Sequence, residues 1–132
     1  MRFLIALLIL LMAAMPVKAN EREIQCLANA IYYEAKSESL EGQKAVGNVT
    51  INRMKSGRFR NTICGVVAQP KQYSWYPRRD TTDKASKEIA RNLFFNQYND
   101  NTKGSLFFHS WRVNPRWHLV RTIKIGGHIF YK

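Results

Sequence analysis

In Ile24-Gln25-Cys26-Leu27-Ala28-Asn29-Ala30-Ile31-Tyr32-Tyr33-Glu34-Ala35, the apolar residues Ile24, Leu27, Ala28, Ile31 and Ala35 recur every three or four positions. That is the period at which an α-helix returns to one face, and it predicts a helix from about Arg22 to Ala35. Glu34 stands seven residues after Leu27 and three after Ile31, so the helix carries it on its core side rather than its wet side. Desolvation disfavours the charged form of a carboxyl and raises its pKa. A carboxyl so placed is a usable general acid at neutral pH. The alternative is a buried glutamate that merely pairs with Arg53 or His109.

Downstream, Ser39 reads as the N-cap of a second helix from Leu40 to about Lys55, with Ala45, Val46, Val49 and Arg53 on one side and Gly57 as its stop. From Gly57 to Asp80 the pattern is irregular, and loops with short extended pieces are expected there. A third helix is predicted from about Thr82 to Gln97, with Ala85, Ile89, Leu93 and Phe94 as its buried stripe. Leu106 to His109 reads as a strand, followed by a segment rich in Trp and Arg. Thr122–Ile125 and His128–Tyr131 flank Gly126-Gly127, which predicts a hairpin whose two-residue turn has positive φ at both central positions. Helices first and strands last make an α+β domain.

Upstream, Arg2 precedes an apolar run of 13 residues, Phe3 to Met15, and Val17-x-Ala19 supplies small residues at a cleavage point before Asn20. A membrane span takes roughly 20 apolar residues, so residues 1–19 are read as a signal peptide and not as a stable anchor. Of the 132 residues, 113 remain, enough for one domain, 20–132, with one core. The whole chain carries a net charge of +12; without Arg2 and Lys18, nineteen basic face nine acidic residues, leaving +10. Such a charge concentrates polyanions near the surface. For an exported chain these are wall carboxylates, teichoic acids or anionic lipid rather than nucleic acid.

The two cysteines, Cys26 and Cys64, enter a compartment in which disulfides persist. A bridge between them and two buried free thiols are both compatible with the sequence. Neither is placed as a nucleophile, since no base is adjacent. Tyr32, Tyr33, Tyr73, Trp75, Tyr76, Trp111 and Trp117 together with Gln43, Gln72, Asn48 and Asn52 form a mixture suited to stacking on sugar rings and hydrogen bonding their hydroxyls. The histidines His109, His118 and His128 raise a zinc hydrolase, but no HExxH motif or short histidine pair is present. A neutral histidine in a substrate groove, at His109 or His128, is the simpler reading. No phosphate loop, dinucleotide fingerprint or nucleophile elbow appears.

Several blocks, taken in order, are similar to one family. Ile31-Tyr32-Tyr33-Glu34-Ala35-Lys36-Ser37-Glu38, Glu41-Gly42-Gln43-Lys44-Ala45-Val46 with Asn52-Arg53, Asn61-Thr62-Ile63-Cys64-Gly65-Val66-Val67, Gln72-Tyr73-Ser74-Trp75, Leu106-Phe107-Phe108-His109 and Ile125-Gly126-Gly127-His128-Ile129-Phe130-Tyr131 together resemble the SleB and CwlJ cell wall hydrolases. The resemblance implies a lysozyme-like α+β catalytic domain that cleaves between N-acetylmuramic acid and N-acetylglucosamine. Its catalytic acid would be the glutamate of the Tyr-x-Glu-Ala block, here Glu34. Lys36 stands where arginine is common, Arg60 where proline is common, and Gly127 where asparagine is frequent.

The expected reaction is lytic transglycosylation, which one carboxyl can perform; ordinary hydrolysis usually needs a second carboxylate. Glu38 and Glu41 are the nearest in sequence, and each could equally hold a loop or cap the second helix. Tyr32, Glu38, Gln43, Gln72, Tyr73, Trp75, His109 and His128 are the expected substrate contacts. No cofactor, metal or nucleic-acid partner is expected, and the protein is read as a monomer acting on peptidoglycan glycan strands in the periplasm or extracellular envelope. The rivals are a hydrolytic muramidase, a non-catalytic basic wall-binding or antimicrobial protein, and a zinc-dependent amidase.

Overall fold

The computed structural model describes residues 16–132, so the apolar run read as a signal peptide lies outside the described residues. The chain forms α1 (Pro16–Ala35), α2 (Leu40–Lys55), α3 (Ile63–Ala68), α4 (Lys84–Phe94), β1 (Phe107–Ser110), β2 (Arg121–Ile125) and β3 (His128–Tyr131). Helix α1 is the central element and packs on α2, α3 and α4. Its predicted stripe is the core: Ile24, Leu27, Ala28, Ile31 and Ala35 are each at most 1% exposed. Burying each larger aliphatic side chain stabilises by about 1.5 to 3 kcal/mol, which is why this helix dominates the packing. It begins several residues before the expected Arg22. Among the described residues no helix is long and apolar enough to cross a membrane.

Helix α2 has the expected bounds: the Ser39 side chain accepts from Gly42 N, and Gly57, just past the last turn, takes φ +76°. Such a φ is one glycine adopts without Cβ strain. Gly47 marks the close crossing of α2, since a Cβ there would approach Leu93 Cδ1 to 2.5 Å.

Three expectations are corrected. The Gly57–Asp80 region is not all loop and extended chain, because Ile63–Ala68 is helical. A short apolar run cannot by periodicity alone be told apart as strand or helix; what settles it is capping. Thr62 Oγ1 accepts from Gly65 N at 2.9 Å, and the Glu23 carboxylate of α1 accepts from the N–H groups of Ile63 and Cys64. The Cys26–Cys64 disulfide, with Cα atoms 5.2 Å apart, fastens the same two helices, which decides the alternative left open by the sequence.

The third predicted helix is shorter, Lys84–Phe94, and Ala85 is exposed rather than part of its stripe. The buried residues are Ser86, Ile89, Ala90 and Leu93. Ser86 can be buried because Asp83 Oδ2 accepts from both its N–H and its hydroxyl, at 2.9 and 2.8 Å. A polar residue in a buried row hides the true phase of the helix.

The strands form one antiparallel sheet in the order β1-β3-β2, with Phe108 opposite Phe130 and Ile123 opposite Phe130 on the other side. Phe130, fully buried, packs on Ala45 and Val49 of α2, flanked by Phe108, Ile123 and Ile125. The hairpin forms where expected, but only Gly126 has positive φ, +55°; Gly127 does not. A turn of the II′ kind needs glycine at its first central position alone.

Candidate active site

The C-terminal turn of α1, the loop joining it to α2, the end of β1 and the hairpin turn enclose a cleft of about 270 Å³. Glu34, Glu38, Gly127 and His128 line it together with Ser37, Ser110, Trp111 and Arg112. Glu34 is half-buried, and its Oε1 accepts from Trp75 Nε1 at 3.0 Å. Burial pushes its pKa above the ordinary glutamate value, against the opposing pull of the Trp75 donor and of the Arg53 charge. A carboxyl with such a bias carries its proton at higher pH than a surface glutamate, as a general acid must.

The surroundings of Glu34 are built from aromatic packing. Trp75 is 7% exposed and stacks on Tyr33 at 5.1 Å between ring centroids, with planes 26° apart. Arg53 does not pair with Glu34: its Nε donates to Leu106 O at 2.7 Å, and its guanidinium lies among the rings of Phe59, Tyr73 and Phe107. His109 does not pair with it either, since Nε2 is 2.7 Å from Tyr131 Oη and Nδ1 is 2.8 Å from Ser110 O. The direct partner of Glu34 is an indole N–H, which leaves the carboxyl free to give and take a proton.

Glu38 is held differently. Both its carboxylate oxygens accept from Gly127 N, each at 3.2 Å, and Oε1 lies 3.4 Å from His128 Nδ1. A Cβ on Gly127 would come within 2.6 Å of Glu38 Oε1, so glycine lets the carboxylate lie directly against the backbone of the turn, and a larger residue there would have to move the carboxylate aside. His128 is 8% exposed, and burial lowers its pKa, opposed by Glu38 and reinforced by His109. The ring is therefore neutral over most of the physiological range.

The remaining expected contacts are dispersed. Gln43 Nε2 donates to Glu38 O at 2.9 Å and so fixes the α1–α2 loop. Tyr73 is 4% exposed, with its hydroxyl 2.8 Å from Thr50 Oγ1, which makes it an internal support. Gln72 is half-buried in the turn after α3, outside the cleft lining. Tyr32 lines a neighbouring depression of about 390 Å³ with Tyr33, Arg79 and the Asp80–Asp83 segment. His109 belongs to an aromatic layer with Trp117 and Tyr131. Among the described residues no group of three or more His, Cys, Asp or Glu side chains is placed to hold a metal ion.

Sequence reasoning passed over Arg112 and Ser110 as cleft residues and placed Trp111 only in a general aromatic set. The signal in the sequence was Trp111 itself, in a Trp- and Arg-rich segment directly after a predicted strand; in the structure it is 57% exposed. Its backbone N donates to Gly127 O at 2.9 Å, which carries the β1–β3 pairing up to the cleft rim.

Residues 37–131 match the family described as Cell Wall Hydrolase. The chain belongs to the cell wall hydrolase family. It is 32% identical over 126 residues to the spore cortex-lytic enzyme of Oceanobacillus iheyensis, covering 89% of this chain and 44% of that protein. It is 30% identical over 122 residues to a Bacillus cereus protein of the same name, covering 86% and 45%. This cell wall hydrolase family member thus spans less than half the length of those curated relatives. The crystal structure of the catalytic domain of the Bacillus cereus SleB protein superposes with TM-score 0.72 and 30% identity, over 83% of this chain and 89% of that one. The catalytic domain of the germination-specific lytic transglycosylase SleB from Bacillus anthracis gives the same TM-score at 31% identity, over 83% and 93%. The α+β fold read from the sequence is the fold of these domains. The family match begins three residues after Glu34, whereas the alignment to the Oceanobacillus iheyensis protein covers 89% of this chain and so takes Glu34 in.

Proposed function

We propose that this family member is an exported enzyme that cuts peptidoglycan glycan strands between N-acetylmuramic acid and N-acetylglucosamine by lytic transglycosylation. Residues 1–19 act as its signal peptide, and residues 20–132 are the catalytic domain, working as a monomer on the wall. Glu34 gives its proton to the glycosidic oxygen as the C1–O bond breaks. The resulting carboxylate then takes the proton of the muramic C6 hydroxyl as that oxygen closes on C1, forming a 1,6-anhydro ring. Glu34 ends protonated, and no water is consumed.

The observation that carries this reading is the contrast between the two carboxyls of the cleft. Glu34 is desolvated, biased toward its acid form and bound by one side-chain donor. Glu38 has both oxygens turned to Gly127 N. A carboxylate so engaged is poorly placed to activate water or to attack C1, which inverting and retaining hydrolysis respectively require. The presence of Glu38 in the same cleft is what favours the second reading, a hydrolytic muramidase. Net basicity and the exposed rings of Trp111 and Trp117 suit an anionic, sugar-rich polymer.

Mass spectrometry of purified sacculi digested with the protein separates these readings. Anhydromuramic ends are expected. Reducing muramic acid as the sole new end contradicts transglycosylation, and new amino groups without sugar ends contradict glycosidic cleavage altogether.

A further inference from the structure

One polar atom of the cleft is unpartnered. Nδ1 of His128 is sealed from solvent and makes no hydrogen bond, although Glu38 Oε1 lies only 3.4 Å away. Buried polar atoms in folded proteins nearly always have partners, so an orphan facing a carboxylate in a cleft calls for an account.

Glu38 is fixed at both ends. Its backbone N donates to Ala35 O at 2.9 Å and its carbonyl accepts from Gln43 Nε2 at 2.9 Å. At the other end the hairpin turn is shaped around the carboxylate: a Cβ on Gly126 would come within 2.7 Å of Oε2, and one on Gly127 within 2.6 Å of Oε1. The imidazole is fixed too, edge-on to Phe108 at 5.0 Å and to Phe130 at 6.3 Å. A neutral imidazole carries one N–H, and a carboxylate facing Nδ1 favours the proton there. With Nδ1 closed off, Nε2 is the nitrogen with which His128 can meet a ligand in the cleft it lines.

We propose that Glu38 is a positioning residue that holds His128 in the Nδ1–H form, so that Nε2 accepts a hydrogen bond from a hydroxyl or acetamido N–H of the sugar bound beside Glu34. This deepens, and rests on, the reading of the cleft as a glycan site. It assigns Glu38 a role distinct from that of a second catalytic carboxylate. The groups that face His128 are Glu34 at the end of α1, Glu38 in the following loop, His109 on β1 and Arg112 after it. Protonation of the ring turns Nε2 into a donor, so sugar binding weakens on the acidic side. Burial and His109 push that change below the ordinary histidine range, while Glu38 works against them.

The test combines tautomer and kinetics. In 15N-labelled wild-type protein, two-bond nitrogen–proton correlations are expected to show His128 protonated at Nδ1 near neutral pH, and Glu38→Gln to give a mixture of tautomers. Kinetics on purified glycan strands of defined length follow three variants. His128→Asn, whose amide ends near the Nδ1 position, is expected to lower kcat/KM by about tenfold, the scale of one lost hydrogen bond, mainly through KM. His128→Gln, whose amide reaches the Nε2 position, is expected to recover to within roughly threefold of wild type and to lose the acidic rise in KM that the titrating ring produces. Glu38→Gln keeps an acceptor for Gly127 N and is expected to stay folded with a raised KM.

A wild-type ring protonated at Nε2 overturns the proposal, as does a His128→Asn enzyme as active as wild type. Failure of the underlying reading looks different: the wild type then cleaves no glycosidic bond, while the nitrogen spectrum still reports the tautomer.

Discussion

Replacing Trp75 with phenylalanine removes one N–H donor from Glu34 while keeping a ring to stack on Tyr33. In the wild type, Trp75 Nε1 is 3.0 Å from Glu34 Oε1, and this bond favours the charged carboxylate against the burial that disfavours it. A hydrogen bond to a charged group is worth about 1.5 to 3 kcal/mol. Its loss therefore weakens ionisation of Glu34 by a factor of roughly ten to a hundred, since each 1.36 kcal/mol is tenfold. As the proposed acid Glu34 enters the reaction protonated, so the alkaline limb of the kcat/KM profile on purified glycan strands should move up by about one to two pH units. The acid step survives, whereas kcat should fall, because the carboxylate formed during turnover has lost its stabilising donor. Circular dichroism melts of the same variant separate this effect from loosened packing. An alkaline limb that stays in place or moves down in a folded variant refutes the assignment of Trp75 as the group that tunes Glu34.

The other predictions concern the frame. Reducing the Cys26–Cys64 bridge, or replacing both cysteines with alanine, should destabilise the domain by about 4 kcal/mol in the chain-entropy model for a separation of 38 residues, read as a lower urea midpoint; an unchanged midpoint contradicts it. Gly47→Ala should lower stability by about 1 to 3 kcal/mol through overpacking against Leu93 and Ile31, seen as a lower Tm with the same bridge intact. Glu34→Gln should raise Tm at neutral pH. The raised folded pKa means that the carboxyl contributes most below the unfolded value of about 4.5 and that this contribution is lost as pH rises through the folded value. The gain from glutamine must accordingly vanish near pH 4, and a gain that persists there contradicts the desolvation argument.

Local pattern carried the helices that place the acid. The spacing of Leu27, Ile31 and Glu34 is enough to put a carboxyl at the edge of the core, and Ser39 and Gly57 bound α2 by capping chemistry that depends on neighbours in sequence alone. What the pattern missed was settled by distant partners. Helix α3 forms where Glu23, about forty residues away, supplies the cap, and Ser86 is buried because Asp83 satisfies it. Asn29, 6% exposed, is held by Asp80 and Thr81 across the fold and interrupts the apolar face of α1 without weakening it.

The candidate site divides along the same line. Glu34, Glu38 and His128 were legible as residue types suited to the chemistry. Their relations were not: the Glu34–Trp75 bond spans 41 residues and the Glu38–Gly127 bond spans 89. Tyr73 and Gln43 looked like sugar contacts because aromatic and amide groups serve equally well in a groove and in its foundations. Burial and the bond to Thr50 make Tyr73 part of the foundations, and its bond to the Glu38 carbonyl ties half-buried Gln43 to the α1–α2 loop.

Glu34 is the proposed proton donor. The most direct test is release of soluble muropeptides from purified sacculi by wild type and by Glu34→Gln at equal sacculus binding. The variant should bind the wall, retain its fold and release nothing above background. Full lytic activity in Glu34→Gln would show that the proton comes from elsewhere.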